Sequence, residues 1–436
     1  MGNLSSPDSE IPLSGEVLCE RMLRFLRLYL ERFQIKSVMR KLLFLIPLFL
    51  GVFLTSCNKD VPGCTDSTAS NYDADATEDD GSCEYAIEAP STYSFFDADG
   101  NSTVSYSGQH QRLNMLDEMV DYMKTANTPG TAVDAATLLS MYANDGHVWA
   151  DDEGLGMTGS SKQLKNKTAG GDPAITAQFE TWMTELADAS ATTVADVYDG
   201  AAGTTGVVQS GISSSAYLQS GTGQEWVQLI EKGLMGACFH YNISVVYLGA
   251  GKMDVDNTTP VDPANGKYYT TMEHHWDEAY GYFTTAVNYP EEGIDRFLGK
   301  YAWKREEPLE SATKIGEAFR LGRAAISEGD LALRDAQIDI IRHELELMFG
   351  GTAIYYLKAA TTDIADDAKR NHALSEAMAF AQGLVYADNP TVTQADVDAV
   401  FAAMGSDFYA VTPASLTAAR DMLADMLGLT DVVDQL

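Results

Sequence analysis

Basic residues are scarce in this chain. It carries 29 Lys and Arg against 63 Asp and Glu, a formal net charge of −34 over 436 residues. Such a chain cannot neutralise a run of phosphates, so it is not read as a nucleic-acid binder. Broad contact with anionic lipid is disfavoured on the same ground. Histidines number only seven and cysteines only five. Several catalytic signatures are missing. No Gly-rich phosphate loop follows a strand, no Gly-x-Ser-x-Gly occurs, and no Cys/His nucleophile pair is suggested by position. What remains is ordinary globular composition, 45% apolar and 21% charged, at a length that suits one large or two medium domains.

The N-terminal region reads as an address. Met39-Arg40-Lys41 is a short basic start, followed by an apolar run from Leu42 to Leu54 broken only by Pro47 and Gly51. The run is shorter than the roughly 20 residues of a comfortable transmembrane helix, and its layout is that of a signal peptide. Its ending, Leu54-Thr55-Ser56-Cys57, resembles a bacterial lipobox. That resemblance implies cleavage before Cys57, lipid attachment at Cys57 and a mature chain of residues 57–436. Removing residues 1–56 takes away seven bases and five acids, leaving 22 bases and 58 acids, net −36. Residues 1–38 precede a complete signal and read as an over-long start, with Met39 the true initiator. The alternative is a membrane-surface helix over Glu16 to Ile35. Export places the chain where disulfides persist, and Cys64 and Cys83 flank a loop without apolar periodicity, so they form a candidate bridge. Cys238 lies in an apolar helical stretch and reads as a small buried hydrophobe.

Residues 58–90 are rich in Asp, Ser, Thr, Asn and Gly and read as an acidic, Cys-bounded tether. Asp73, Asp75, Thr77, Asp79 and Asp80 place oxygen ligands at near-alternate positions, which suits Ca²⁺. No Gly stands at the sixth position and no Glu closes the loop at the twelfth, so the segment is not an EF-hand. The other reading is a solvated spacer stapled by one disulfide. The stretch from Gly63 to Cys83 resembles a short acidic repeat found near the start of many secreted bacterial surface proteins. Asp97 to Asn101 marks a turn.

From Arg112 onward the pattern is mainly helical. Leu113, Leu116, Met119, Val120 and Met123 line one face. Ala132 to Tyr142 follows, capped by Thr131 or Asp134, and Asp172-Pro173 opens the next helix. Residues 198–223 read as a long loop. Further helices are expected over Glu225 to Leu248, Lys267 to Phe283, Phe319 to Ile326, Ala332 to Leu357, Ile364 to Tyr386, Gln394 to Met404 and Pro413 to Leu427. Strand signals are few and short. The expected fold is all-α: two packed helical bundles across residues 91–436, split near 250–310, after a loop-rich tether.

Two helical motifs carry candidate chemistry. The first runs from Met272 to Tyr282. Residues three or four apart share a helix face, which pairs His275 with Glu278, and His274 with Asp277 and Glu278. Imidazole with carboxylate at this spacing is how bundle proteins present ligands to Zn, Fe or Mn. The motif is not His-Glu-x-x-His, so the usual zinc-protease pattern is absent. The competing reading packs Trp276, Tyr280 and Phe283 in the core while the His and acids bond between helices. The second motif is His372 with Glu376, which could complete a two-helix, four-ligand site or stand as a His–Glu pair inside the bundle. Arg323, Arg334 and Asp335 are candidate partners for the helical acids. Lys162 to Lys167 is a basic cluster suited to an anion, a buried carboxylate or solvent.

Together with the lipobox, several segments resemble a family of bacterial lipoproteins of unknown function that is itself similar to the imelysin-like proteins. They are Asn101 to Gln109, Lys162 to Thr168, Glu273 to Phe283, Gly322 to Ile326 and His372 to Ala377. The resemblance spans roughly residues 90–430. It implies two helical bundles, export or lipid anchoring in the cell envelope at the outer membrane (periplasmic or surface face), and a link to iron regulation or uptake. The imelysin-like hallmark is Gly-x-His-x-x-Glu. His275 and Glu278 match its His and Glu, while Glu273 stands where Gly is expected. The functional expectation is a non-enzymatic lipoprotein that binds a metal, iron or zinc, or a metal-bearing ligand. It would be membrane-tethered through its lipid and would serve iron-uptake or transport components. The alternatives are an imelysin-type metallopeptidase and a purely structural surface protein.

Overall fold

The structure is a computed structural model that describes residues 60–150, 153–192, 196–291 and 295–436. The upstream extension, the signal segment and Cys57 lie outside the described residues. The chain divides into two units at Ala86/Ile87.

In the first unit, β1 (Pro62–Gly63) pairs in parallel with β2 (Glu78–Asp79), and Cys64 is bonded to Cys83. Acidic side chains here fold back on their own loops. Asp73 accepts from the Asp75 N–H, Asp79 from that of Gly81 and Asp80 from that of Ser82. These are Asx-turns, the local use of Asp that holds a loop without a core.

The second unit is helical. Its main elements are α1 (Ser107–Lys124), α2 (Ala135–Ala143), α3 (Pro173–Thr192), α4 (Trp226–Leu234), α5 (Thr271–Phe283), α6 (Phe297–Lys304), α7 (Ser311–Glu328), α8 (Leu331–Thr362), α9 (Asp367–Gly383), α10 (Gln394–Met404) and α11 (Pro413–Met426). Starts follow the local chemistry. Asp172 accepts from the N–H groups of Ala174 and Ile175, with Pro173 in the first turn. Capping boxes pair Thr270 with Glu273, Thr393 with Asp396 and Thr412 with Ser415. Asp134, Asp330 and Asp366 cap α2, α8 and α9. Beyond α4 the chain continues through two π-helical stretches, Met235–His240 and Asn242–Tyr247.

The 32-residue α8 is the axis of the unit. Helices α7, α9 and α11 pack around it, so its buried residues run around most of its circumference rather than along one stripe. Helix α4 packs on α9, while α5 packs on α1, α7 and the second π-helical stretch. Helices before and after residues 250–310 therefore share one continuous core. The close approach of α5 to α7 depends on Gly322, where a Cβ would lie 2.2 Å from the Trp276 ring. Among the described residues no helix is long and apolar enough to cross a membrane.

Two segments differ from expectation. Residues 198–223 are not all loop: β3 (Gly206–Gln209) and β4 (Ala216–Gln219) form an antiparallel hairpin that buries Val207, Val208 and Leu218. Flanking Gly, Ser and Thr mask so short an alternation in the sequence. Lys267–Thr270 is likewise strand β6, paired with β5 (Pro260–Asp262), and the helix begins only at Thr271, where Thr270 and Glu273 close its capping box.

Candidate functional site

Helix α5 turns Glu273 and Asp277, one helical turn apart, toward α7, and both meet Arg323. The Arg323 side chain is fully buried. Its Nε donates to Asp277 Oδ1 at 3.0 Å and its Nη1 to Glu273 Oε1 at 2.7 Å. Nη1 also reaches Ser327 Oγ at 2.6 Å, and Nη2 donates to the carbonyl and hydroxyl oxygens of Thr103. Asp277, also fully buried, accepts from the Tyr93 hydroxyl at 2.8 Å and the Ser105 N–H at 2.9 Å. Burial pushes its carboxyl up to about 6, while Arg323 and these donors pull the other way and leave it ionised at neutral pH. Tyr93, stacked on Tyr280 at 3.6 Å, has its phenol held well above the usual range, first by burial and then by Asp277. Every donor of the guanidinium is used, the arrangement that makes a buried ion cluster tolerable.

The two histidines of this helix flank the cluster. His274 pairs its Nδ1 with the Ser105 carbonyl at 3.0 Å and stacks on Tyr269; its Nε2 lies 4.0 Å from Glu278. His275 is held by one residue through both nitrogens: Nδ1 contacts the Lys252 carbonyl at 2.9 Å and Nε2 contacts Lys252 Nζ at 3.2 Å. A proton on Nδ1 donates to that carbonyl and leaves Nε2 to accept from the ammonium. Burial, reinforced by the charge on Lys252, lowers its pKa, so His275 is neutral at pH 7. Glu278 accepts from Gln109 and from the Tyr247 hydroxyl, and Lys167 donates to that same hydroxyl. Lys165, from the same basic run, pairs with Glu180.

Helix α9 builds a second cluster. His372 Nδ1 lies 2.6 Å from Glu225 and its Nε2 3.5 Å from Glu376, with the ring stacked on Tyr217 at 4.3 Å. Burial opposes charge on this imidazole, but Glu225, ahead of Glu376, holds its pKa above the ordinary histidine value. Glu225 is fixed in place by Ser375, whose hydroxyl accepts its N–H, and by Gln228. Glu376 also meets the Tyr301 hydroxyl at 3.2 Å and Lys232 Nζ at 3.6 Å, and Lys232 pairs with Glu231 at 2.6 Å. The His372 side chain stays 24% exposed, whereas that of Arg323 is fully buried.

Of the pairs that the spacing grouped, the structure brings His274 to Glu278 and His372 to Glu376. His275 and Glu278 take different partners, and the hydrogen bonds and ion pairs of the two motifs share no residue. Among the described residues, no group of three or more His, Cys, Asp or Glu side chains is arranged to hold a metal ion, and Asp73, Asp75, Asp79 and Asp80 are included in that statement. Arg323 was legible from sequence as a partner for the helical acids. Glu225, Lys232 and Tyr301 lie outside both sequence motifs. The signal for Lys232 was present, as Glu231-Lys232 stands inside an otherwise apolar helix. His240, also outside both motifs, is buried and bonded to the Gly383 carbonyl through Nδ1, and burial lowers its pKa to about 4.

The family model for the domain of unknown function DUF4856 matches residues 90–430, and the chain belongs to that family. No curated protein and no solved structure matches it.

Proposed function

We propose that this DUF4856 chain is a non-enzymatic, lipid-anchored protein of the cell envelope, imelysin-like in kind. In this reading its α5 histidine motif braces the helices instead of holding a metal. The carrying observation is that the candidate donors around His275 are already engaged by protein groups: both His275 nitrogens by Lys252, Asp277 by Arg323, Tyr93 and Ser105, and Glu278 by Gln109 and Tyr247. A cation placed there would have to displace an ammonium and a guanidinium. Any role in iron uptake then runs through a metal-bearing ligand or a partner protein rather than through a bare ion on α5.

A second reading keeps a metal at α9. The observation in its favour is one imidazole between two carboxylates, Glu225 and Glu376, at a place open to solvent. Lys232 beside Glu376 counts against it, and among the described residues no three such side chains, these included, are arranged to hold a metal ion. A metallopeptidase would draw on the same donors.

The test is metal content by mass spectrometry after exposure of the purified protein to Fe, Zn, Mn and Ca, beside His275→Ala and His372→Ala. The brace reading expects no retained equivalent of a transition metal in any of the three. About one equivalent, kept in His275→Ala and lost in His372→Ala, would replace it with the α9 site and justify peptidase assays with and without chelator. Calcium retained by all three would point to the Asp73 to Asp80 tether.

A further inference from the structure

The chain is strongly acidic, yet three cations gather at one cleft of about 510 Å³ between the end of α6 and the C-terminal part of α8: Lys304, Arg305 and Lys358. Arg305 stands apart among them. It is only 6% exposed, and among the described residues its sealed Nε has no hydrogen-bond partner and its guanidinium forms no ion pair. Its guanidinium stacks on the ring of Tyr355, 4.4 Å from the centroid. Lys304 likewise has no carboxylate partner and lies over the Tyr301 ring. Lys358 is already engaged, donating to the main-chain oxygens of Asp434 and of Leu436, which also lines the cleft.

Two bland accounts fall short. Cations at a helix C-terminus interact favourably with its dipole, which suffices for Lys304 at the end of α6. It does not account for a buried guanidinium with an orphaned nitrogen, since buried charges are normally paired and hydrogen-bonded. Compare Arg323, whose three nitrogens all have partners. The cleft does contain acids, Glu307 and Asp363, but neither lies within ion-pair distance of Arg305.

We propose that this cleft is a binding site for a small anionic ligand that presents a phosphate or carboxylate group to Arg305, with Lys304 and Lys358 completing its charge and Tyr355 offering a ring face. A guanidinium matches either oxyanion with paired N–H donors, and Arg305 lines this cleft. Neutralising three cations with an anion in a chain that otherwise repels anions would concentrate the ligand at this one place.

Isothermal titration calorimetry at low salt tests this, with inorganic phosphate and citrate as separate probes of the two oxyanion classes. The expected result is saturable binding of at least one probe at about one equivalent, weakened by added NaCl as an exposed charge interaction must be. Arg305→Gln should weaken it roughly tenfold or more, the scale of a lost charge-assisted hydrogen bond. Arg305→Lys, which keeps the charge and loses the fork, should fall between. Lys304→Gln changes an exposed side chain, leaves the core untouched and should weaken binding roughly two- to fivefold. It keeps the test decisive if the Arg305 variants do not fold. Absence of binding to the wild type by either probe, or affinity unchanged in Lys304→Gln, would overturn the proposal.

Discussion

Two ion clusters, one on α5 and one on α9, begin from the same sequence signal and end differently. Each helix carries His and acid three or four residues apart. On α5 the face that turns inward bears Glu273 and Asp277, so a sealed arginine becomes the centre and the histidines are left at the edge. On α9 the histidine itself lies between two carboxylates and stays in touch with water. Spacing therefore specifies which residues share a face, but not which face is buried. In one the central cation is sealed from water; in the other it touches water.

The sharpest way to break this comparison is Arg323→Met. It strands two buried carboxylates and should cost about 3–5 kcal/mol, the usual penalty for removing one partner of a buried pair. Urea unfolding measures it, and a loss below that of any His372 change would reverse the ranking of the clusters. Next comes His372→Gln, which leaves Glu225 buried without its charged partner and should cost about 1–3 kcal/mol at pH 6. The sign of its pH dependence is set. The folded pKa of His372 is raised, so the stabilisation from His372⁺ is complete below the unfolded value near 6.5 and is lost as pH rises through the folded pKa. The stability gap between wild type and His372→Gln should therefore narrow between pH 6 and pH 9. A gap that widened over that range would assign the histidine a neutral role. The smallest effect is expected for His275→Gln, about 1 kcal/mol or less, because an amide can still meet Lys252. A loss as large as that of Arg323→Met would make His275 the centre of its cluster after all.

Much of the fold was legible. Periodicity located the main helices, and Asp134 and Asp172-Pro173 marked starts where caps form. Cys238 is buried as its apolar surroundings suggest. The 206–219 hairpin was hidden because its strands are four residues each and set among Gly and Ser, so period-2 alternation had no length in which to appear. It matters to the site, since it supplies Tyr217 against His372. Arg323 could be suspected as a partner of the acids. Glu225 could not, since it lies 147 residues from His372 and nothing local marks the pair.

The sequence by itself determined which residues form helices, how those helices begin, and that the chain is acidic with few histidines. These are properties of neighbours along the chain, governed by spacing, capping chemistry and composition. Only the tertiary structure decided that Arg323 claims the α5 acids, that Lys252 claims His275, that Glu225 completes the α9 cluster, and that Arg305 lies buried with no counter-ion among the described residues. Charge burial is settled by what converges across the core, and convergence depends on helix packing over distances that no local pattern records.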